Sequence, residues 1–85
     1  MIEIGQVYHA DKAQLEMPFT NKITEIIEGP RYLEGARRNE WQCRCTFTKE
    51  YPDTGVKNTY SLNYWVGEDY LLNNINRGRM ILNKE

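Results

Sequence analysis

The residues best suited to chemistry in this chain are the pair Cys43 and Cys45, the single histidine His9, the acidic pair Glu68-Asp69, and a run of arginines at 31, 37, 38 and 44. Cys43 and Cys45 are the chain's two cysteines, and they stand in the stretch Trp41-Gln42-Cys43-Arg44-Cys45-Thr46-Phe47. In an extended strand, side chains two residues apart point the same way, about 6 to 7 Å apart. A direct disulfide wants Cβ atoms about 4 Å apart, so it would be strained there. A thioredoxin-type redox pair needs C-x-x-C at a helix start, and this is C-x-C. A structural zinc ion takes four ligands, and the chain offers these thiols and His9 unless a symmetric dimer pools two pairs into a Cys₄ site. The reading this leaves in front is two small apolar side chains packed beside Trp41 and Phe47.

His9 lies next to Asp11 without a nearby nucleophile, which suits a surface or hydrogen-bonded histidine better than a general base. Glu68-Asp69 is explained by the favourable place of acids in the first turn of a helix. With no glycine-rich phosphate loop and no nucleophile elbow, the chain reads as a non-enzyme without cofactor or metal. What remains is a binding surface. Arg37, Arg38 and Arg44, with Gln42 and Thr46 on the parity of Arg44 and with Tyr32 and Tyr51 at element ends, supply the residue types that protein interfaces favour. The same types bind single-stranded nucleic acid by stacking and charge.

The elements that position these residues follow from pattern. From Glu40 to Glu50, Trp41, Cys43, Cys45 and Phe47 alternate with Gln42, Arg44, Thr46 and Thr48, which is the mark of a half-buried strand. Tyr51-Pro52-Asp53-Thr54-Gly55 reads as a hairpin loop with Gly55 free to take a left-handed conformation. Val56 to Trp65 returns as the antiparallel partner, its Tyr60 or Tyr64 pairing with Trp41 or Phe47. Upstream, Ile4 to His9 reads as a first strand and Lys22 to Glu28 as a second, ended by Gly29-Pro30. Between them Asp11 could cap a single helical turn, although a long loop is the expected outcome. Arg31 to Asn39 has no apolar period and reads as a loop. Gly67-Glu68-Asp69 opens a short helix with Leu71, Leu72 and Ile75 on one face, Arg77-Gly78 closes it, and Met80-Ile81-Leu82 makes a last strand.

The chain has 85 residues, which is enough for one hydrophobic core and one domain over 1–85. Its two Trp, six Tyr and two Phe give a small core a large apolar area per residue. Net charge is −1 with eleven basic and twelve acidic residues, which argues against a strong footprint for nucleic acid over the whole molecule. From Arg31 to Lys49, however, five basic residues face two acidic ones, a local excess that could form one basic surface. No stretch is long and apolar enough for a membrane span, and the amino terminus lacks the pattern of a signal peptide, so a cytoplasmic chain with free thiols is expected.

These elements predict a mainly β domain: about five strands in a strongly bent antiparallel sheet or SH3-like barrel, with one short helix before the last strand. An OB-type barrel or small α+β sheet is the competing fold. Ile4-Gly5-Gln6-Val7-Tyr8, Ile23-Thr24-Glu25-Ile26 and Asn74-Ile75-Asn76-Arg77-Gly78-Arg79 resemble the layout of small SH3-like barrel proteins encoded by short phage open reading frames. That resemblance implies a mobile-element accessory protein acting in the host cytoplasm, one that inhibits or adapts a host or defence protein. It assigns no binding residue, because such scaffolds serve unrelated functions. The expected partner is therefore a larger host protein, engaged through the Arg37 to Thr48 face. The alternative is a nucleic-acid-binding barrel using Arg31, Arg37, Arg38 and Arg44 with Tyr32 and Tyr51. A homodimer paired through edge strands is a third arrangement.

Overall fold

The computed structural model describes residues 1–83. One antiparallel sheet is built from β1 (Val7–Ala10), β2 (Phe19–Leu33), β3 (Arg38–Tyr51), β4 (Val56–Gly67) and β5 (Met80–Leu82), with the helix α1 (Glu68–Asn76) before the last strand. Strand order is β4-β3-β2-β1-β5. The fold is thus the mainly β, five-stranded arrangement that the alternation predicts. The sheet stays open, with β4 at one edge and β5 at the other, so the barrel does not close. No helix among the described residues is long and apolar enough to cross a membrane.

Three strands, β2, β3 and β4, are longer than their patterns suggest. β2 runs straight through Gly29-Pro30, and Arg31, Tyr32 and Leu33 pair with Glu40, Asn39 and Arg38 where a loop was expected. The register shifts on both sides of Glu28, so the proline sits at an irregularity, where a missing ladder hydrogen bond is tolerated. Gly29 makes this possible at φ 130, a conformation that side chains rarely adopt. The first strand, in contrast, starts late, because Gly5 turns at φ 95 before Val7 enters the sheet. Asp11 does cap a single turn: a 3-10 segment, Lys12–Gln14, forms with Ala13 N–H donating to the Asp11 carboxylate at 3.3 Å.

β3 is the organising strand. Its register against β4 is unbroken from Glu40↔Gly67 to Tyr51↔Val56, so its even and odd residues keep to opposite faces throughout. The odd face carries the core of Ile2, Tyr8, Ile26, Trp41, Cys43, Cys45 and Leu71. Trp41 and the cysteines lie there together, with Phe47 partly buried beside them. Phe47 stands directly opposite Tyr60 and stacks on it at 5.3 Å between ring centroids.

The helix closes over one end of this face. Glu68 and Asp69 occupy its first turn, Leu71 is buried, and Leu72 and Ile75 are half-buried. Trp41 Nε1 donates to Glu68 at 2.8 Å and so ties the helix start to β3. At the other end Gly78 N–H bonds Ile75 O and Arg79 N–H bonds Asn74 O, with Gly78 at φ 73. This reciprocal pair of bonds stops the helix and aims the chain into β5.

Candidate binding surfaces

Arg38, Gln42, Arg44 and Thr46 are all even residues of β3 and share the face opposite the core. They meet partners that no local count reveals. Arg44 Nη1 pairs with Glu25 of β2 at 3.0 Å, and Thr46 hydrogen-bonds Ser61 of β4 at 2.8 Å. Arg38 reaches one oxygen of Glu40 at 2.9 Å while Arg31 donates to the other at 3.0 and 3.2 Å. The Arg31 guanidinium also lies over the Trp65 ring, 3.9 Å from its centroid. Three of the four arginines expected to form a basic surface are therefore ion-paired within the sheet, Arg44 with Glu25 and both Arg31 and Arg38 with the single carboxylate of Glu40, which leaves one positive charge in excess. Tyr32 pairs with Asn39, so it lies on the core-side face beyond the core and is exposed. Tyr51 is on that same face at the far end of the 14-residue β3. Arg37 occupies the β2–β3 turn at φ 52. The structure thus brings together Gln42, Arg44 and Thr46, places Arg38 beyond them toward the turn, and leaves both tyrosines on the other face.

Glu40 is nearly buried, and hydrogen bonds from Arg31 and then Arg38 hold its carboxyl below the usual carboxylate range. A depressed folded-state pKa stabilises the protein above the unfolded carboxylate pKa, and that contribution is lost as pH falls through the folded value. Glu40→Gln is expected to be less stable than wild type at neutral pH. The difference should shrink steadily on acidification below about pH 4. Urea titrations at several pH values check this, and a pH-independent difference would count against the ion-pair account.

The thiols are free and buried. His9 pairs with Ile23, on the face opposite Thr24 and Cys45, and hydrogen-bonds Asn83. The sheet therefore separates His9 from the two cysteines, which stay together on the core face. Burial first, and then the neighbouring Cys45, pushes the Cys43 thiol up to about 11, with Lys22 opposing weakly. Since the thiolate is the reactive form, modification of the folded protein at pH 8 should be slow and should accelerate by about a hundredfold or more in denaturant. Ellman's reagent measures this directly, and rapid labelling of both cysteines without denaturant would contradict their burial.

A second surface escapes any local reading. The helix covers only one end of the core-side face, and the other end is open. There Phe19 and Phe47 meet at 5.9 Å, Tyr60 stacks on Phe47, and Lys22 and Lys49 hold their ammonium groups within 5.5 Å of these rings. Tyr60, Leu62 and Tyr64 continue the stripe along β4 and are exposed. The parity of Val56, Asn58, Tyr60, Leu62 and Tyr64 was visible in the sequence. How far the helix would reach along them was not.

Every residue of β4 from Val56 to Tyr64 is exposed, and among the described residues no strand lies beside its outer edge. β3, whose even residues were expected to bind, lies inside the sheet with both edges paired. Comparison with known protein families, with curated proteins and with solved structures finds no match.

Proposed function

We propose that this chain is a non-enzymatic protein-binding module that takes up an extended segment of a larger partner along β4. The observation that carries this reading is the long unprotected edge. Proteins blunt exposed edge strands with charges, prolines or bulges. β4 has no proline, one charged residue (Lys57) and no register shift against β3. A partner strand added there would gain main-chain hydrogen bonds, while Tyr60, Leu62 and Tyr64 on one face and Ser61 and Asn63 on the other would select its side chains. The blocking or adapting role implied by the resemblance to phage-encoded barrels would be exercised through the same edge. Arg37 and Arg38, at the far end of the sheet, would lie outside the contact.

A second reading rests on a different observation, the cluster of Phe19, Phe47 and Tyr60 with Lys22 and Lys49. Rings flanked by cations are the elements of a stacking platform for single-stranded nucleic acid. The charge for this alternative would come from Lys22 and Lys49, which stand beside the rings.

Capture of partners from a host lysate separates these readings when Leu62→Lys and Arg37→Glu/Arg38→Glu are run beside wild type. Leu62 is half exposed, so its replacement should leave the fold intact. Strand addition predicts at least tenfold weaker capture by Leu62→Lys and unchanged capture by the arginine variant. Loss in the arginine variant alone would move the site back to the β2–β3 end. Tight binding of a random single-stranded oligonucleotide that collapses between about 50 and 300 mM salt would favour nucleic acid instead.

A further inference from the structure

We propose that the cavity between α1 and the core-side face of the sheet binds a small organic anion, a carboxylate or phosphate carried on an apolar body. This site adjoins the β4 stripe, with which it shares Tyr64, but lies under the helix and away from the outer edge of β4. It has a volume of about 350 Å³, within the range of small-molecule pockets. Cys45 and Leu71, both buried, contribute to its apolar lining. Lys22 enters from β2 and Arg79 from the segment that joins α1 to β5, while Tyr64 and Tyr70 bring phenols from β4 and the helix.

The charge is one-sided. No lining residue is acidic, and neither Lys22 nor Arg79 forms an ion pair among the described residues. Lys12, Arg37, Lys49 and Arg77 also lack an ion pair among the described residues, so what sets Lys22 and Arg79 apart is that both line one cavity. Two cations lining a cavity of mixed polar and apolar wall raise its positive potential, and an anion that brings its own apolar body satisfies both parts of the wall.

The cationic side is also positioned. Arg79 N–H bonds Asn74 O at the helix end, and Arg79 O accepts from Asp11 N–H at 3.0 Å, so its backbone is held from two sides. Burial, followed by a hydrogen bond with Cys45, keeps the Tyr64 phenol above its ordinary range. At physiological pH a tyrosine is protonated even at its ordinary value, and the Tyr64 phenol can donate to an anion.

The probe is 1-anilinonaphthalene-8-sulfonate, read by fluorescence, beside N-phenyl-1-naphthylamine, which has the same rings without the sulfonate. The expected result is saturable binding of the sulfonate dye, at least tenfold tighter than the neutral one, and a tenfold or greater loss in Lys22→Gln/Arg79→Gln. Benzoate and phenyl phosphate as competitors then distinguish a carboxylate from a phosphate site. Equal affinity for the two dyes, or undiminished binding by a folded double variant, overturns the proposal. Amide NMR of the wild-type protein gives a readout that needs no variant. Sulfonate-dye shifts should centre on Thr24, Cys45, Asn74 and Arg79, and shifts confined to Val56–Leu62 would overturn the site.

Discussion

Leu71→Ala is expected to destabilise the protein by about 2–5 kcal/mol and to lower its melting temperature by about 10 °C or more. Leu71 is 2% exposed and is the one fully apolar side chain that α1 buries completely. A nine-residue helix has little stability of its own, so its place on the sheet depends on packing. Its tertiary anchors are this side chain, the half-buried Leu72 and Ile75, and the bond from Trp41 to Glu68. Truncation removes buried area and leaves a cavity against Cys45 and its neighbours, which the strands, held in register by their ladders, cannot collapse to fill. Since small domains have only about 5–15 kcal/mol in hand, the loss is a large fraction of the total. Urea unfolding followed by tryptophan fluorescence measures it. A cost below about 1 kcal/mol would mean that the helix does not complete the core.

Gly29→Ala is the second large effect, with an expected cost of at least about 2 kcal/mol. Two separate penalties act at this position. A φ of 130 is strained for any residue with a Cβ. A Cβ there would also lie 3.0 Å from Trp41 Cε3, 3.1 Å from the Glu40 carbonyl oxygen and 3.2 Å from Trp41 Cα. Two of those atoms are backbone of the adjacent strand, so relief requires β2 and β3 to separate where Trp41 enters the core. Gly35 supplies the control, because a Cβ added there meets nothing within 4 Å. Gly35→Ala should stay within about 0.5 kcal/mol of wild type. Near-ultraviolet circular dichroism should report disturbed Trp41 packing in Gly29→Ala alone, and similar stabilities for the two variants would refute the close-approach argument.

Gly29 also illustrates where sequence patterns mislead. Gly-Pro is strong turn punctuation, yet β2 passes through it because the partner strand supplies ladder bonds on both sides and the irregularity absorbs the proline. The same pairing turns Arg31, Tyr32 and Leu33 from an expected loop into strand. Neither outcome could be read locally, since the stabilising contacts come from residues of β3. The start of the chain behaves similarly, because Gly5 lies in a strand-like run of residues and serves as a turn.

The amino-acid sequence alone determined the features that depend on near neighbours. The alternation from Trp41 to Thr48 sorted side chains onto two faces, Gly55 closed the hairpin at φ 70, the acids of Glu68-Asp69 opened the helix, and Arg77-Gly78 ended it. Each of these follows from side-chain period or backbone freedom within a few residues. Tertiary structure decided which charges remain available and which faces remain open. Glu25 neutralises Arg44 from 19 residues away, and Glu40 gathers Arg31 and Arg38, so a basic run became part of an ion-paired sheet face. The short helix covers one end of the core-side face, leaving Phe47, Tyr60 and Leu62 beyond it and β4 at the edge. Pairing distance, helix reach and strand order are properties of the assembled sheet, and no local pattern carries them.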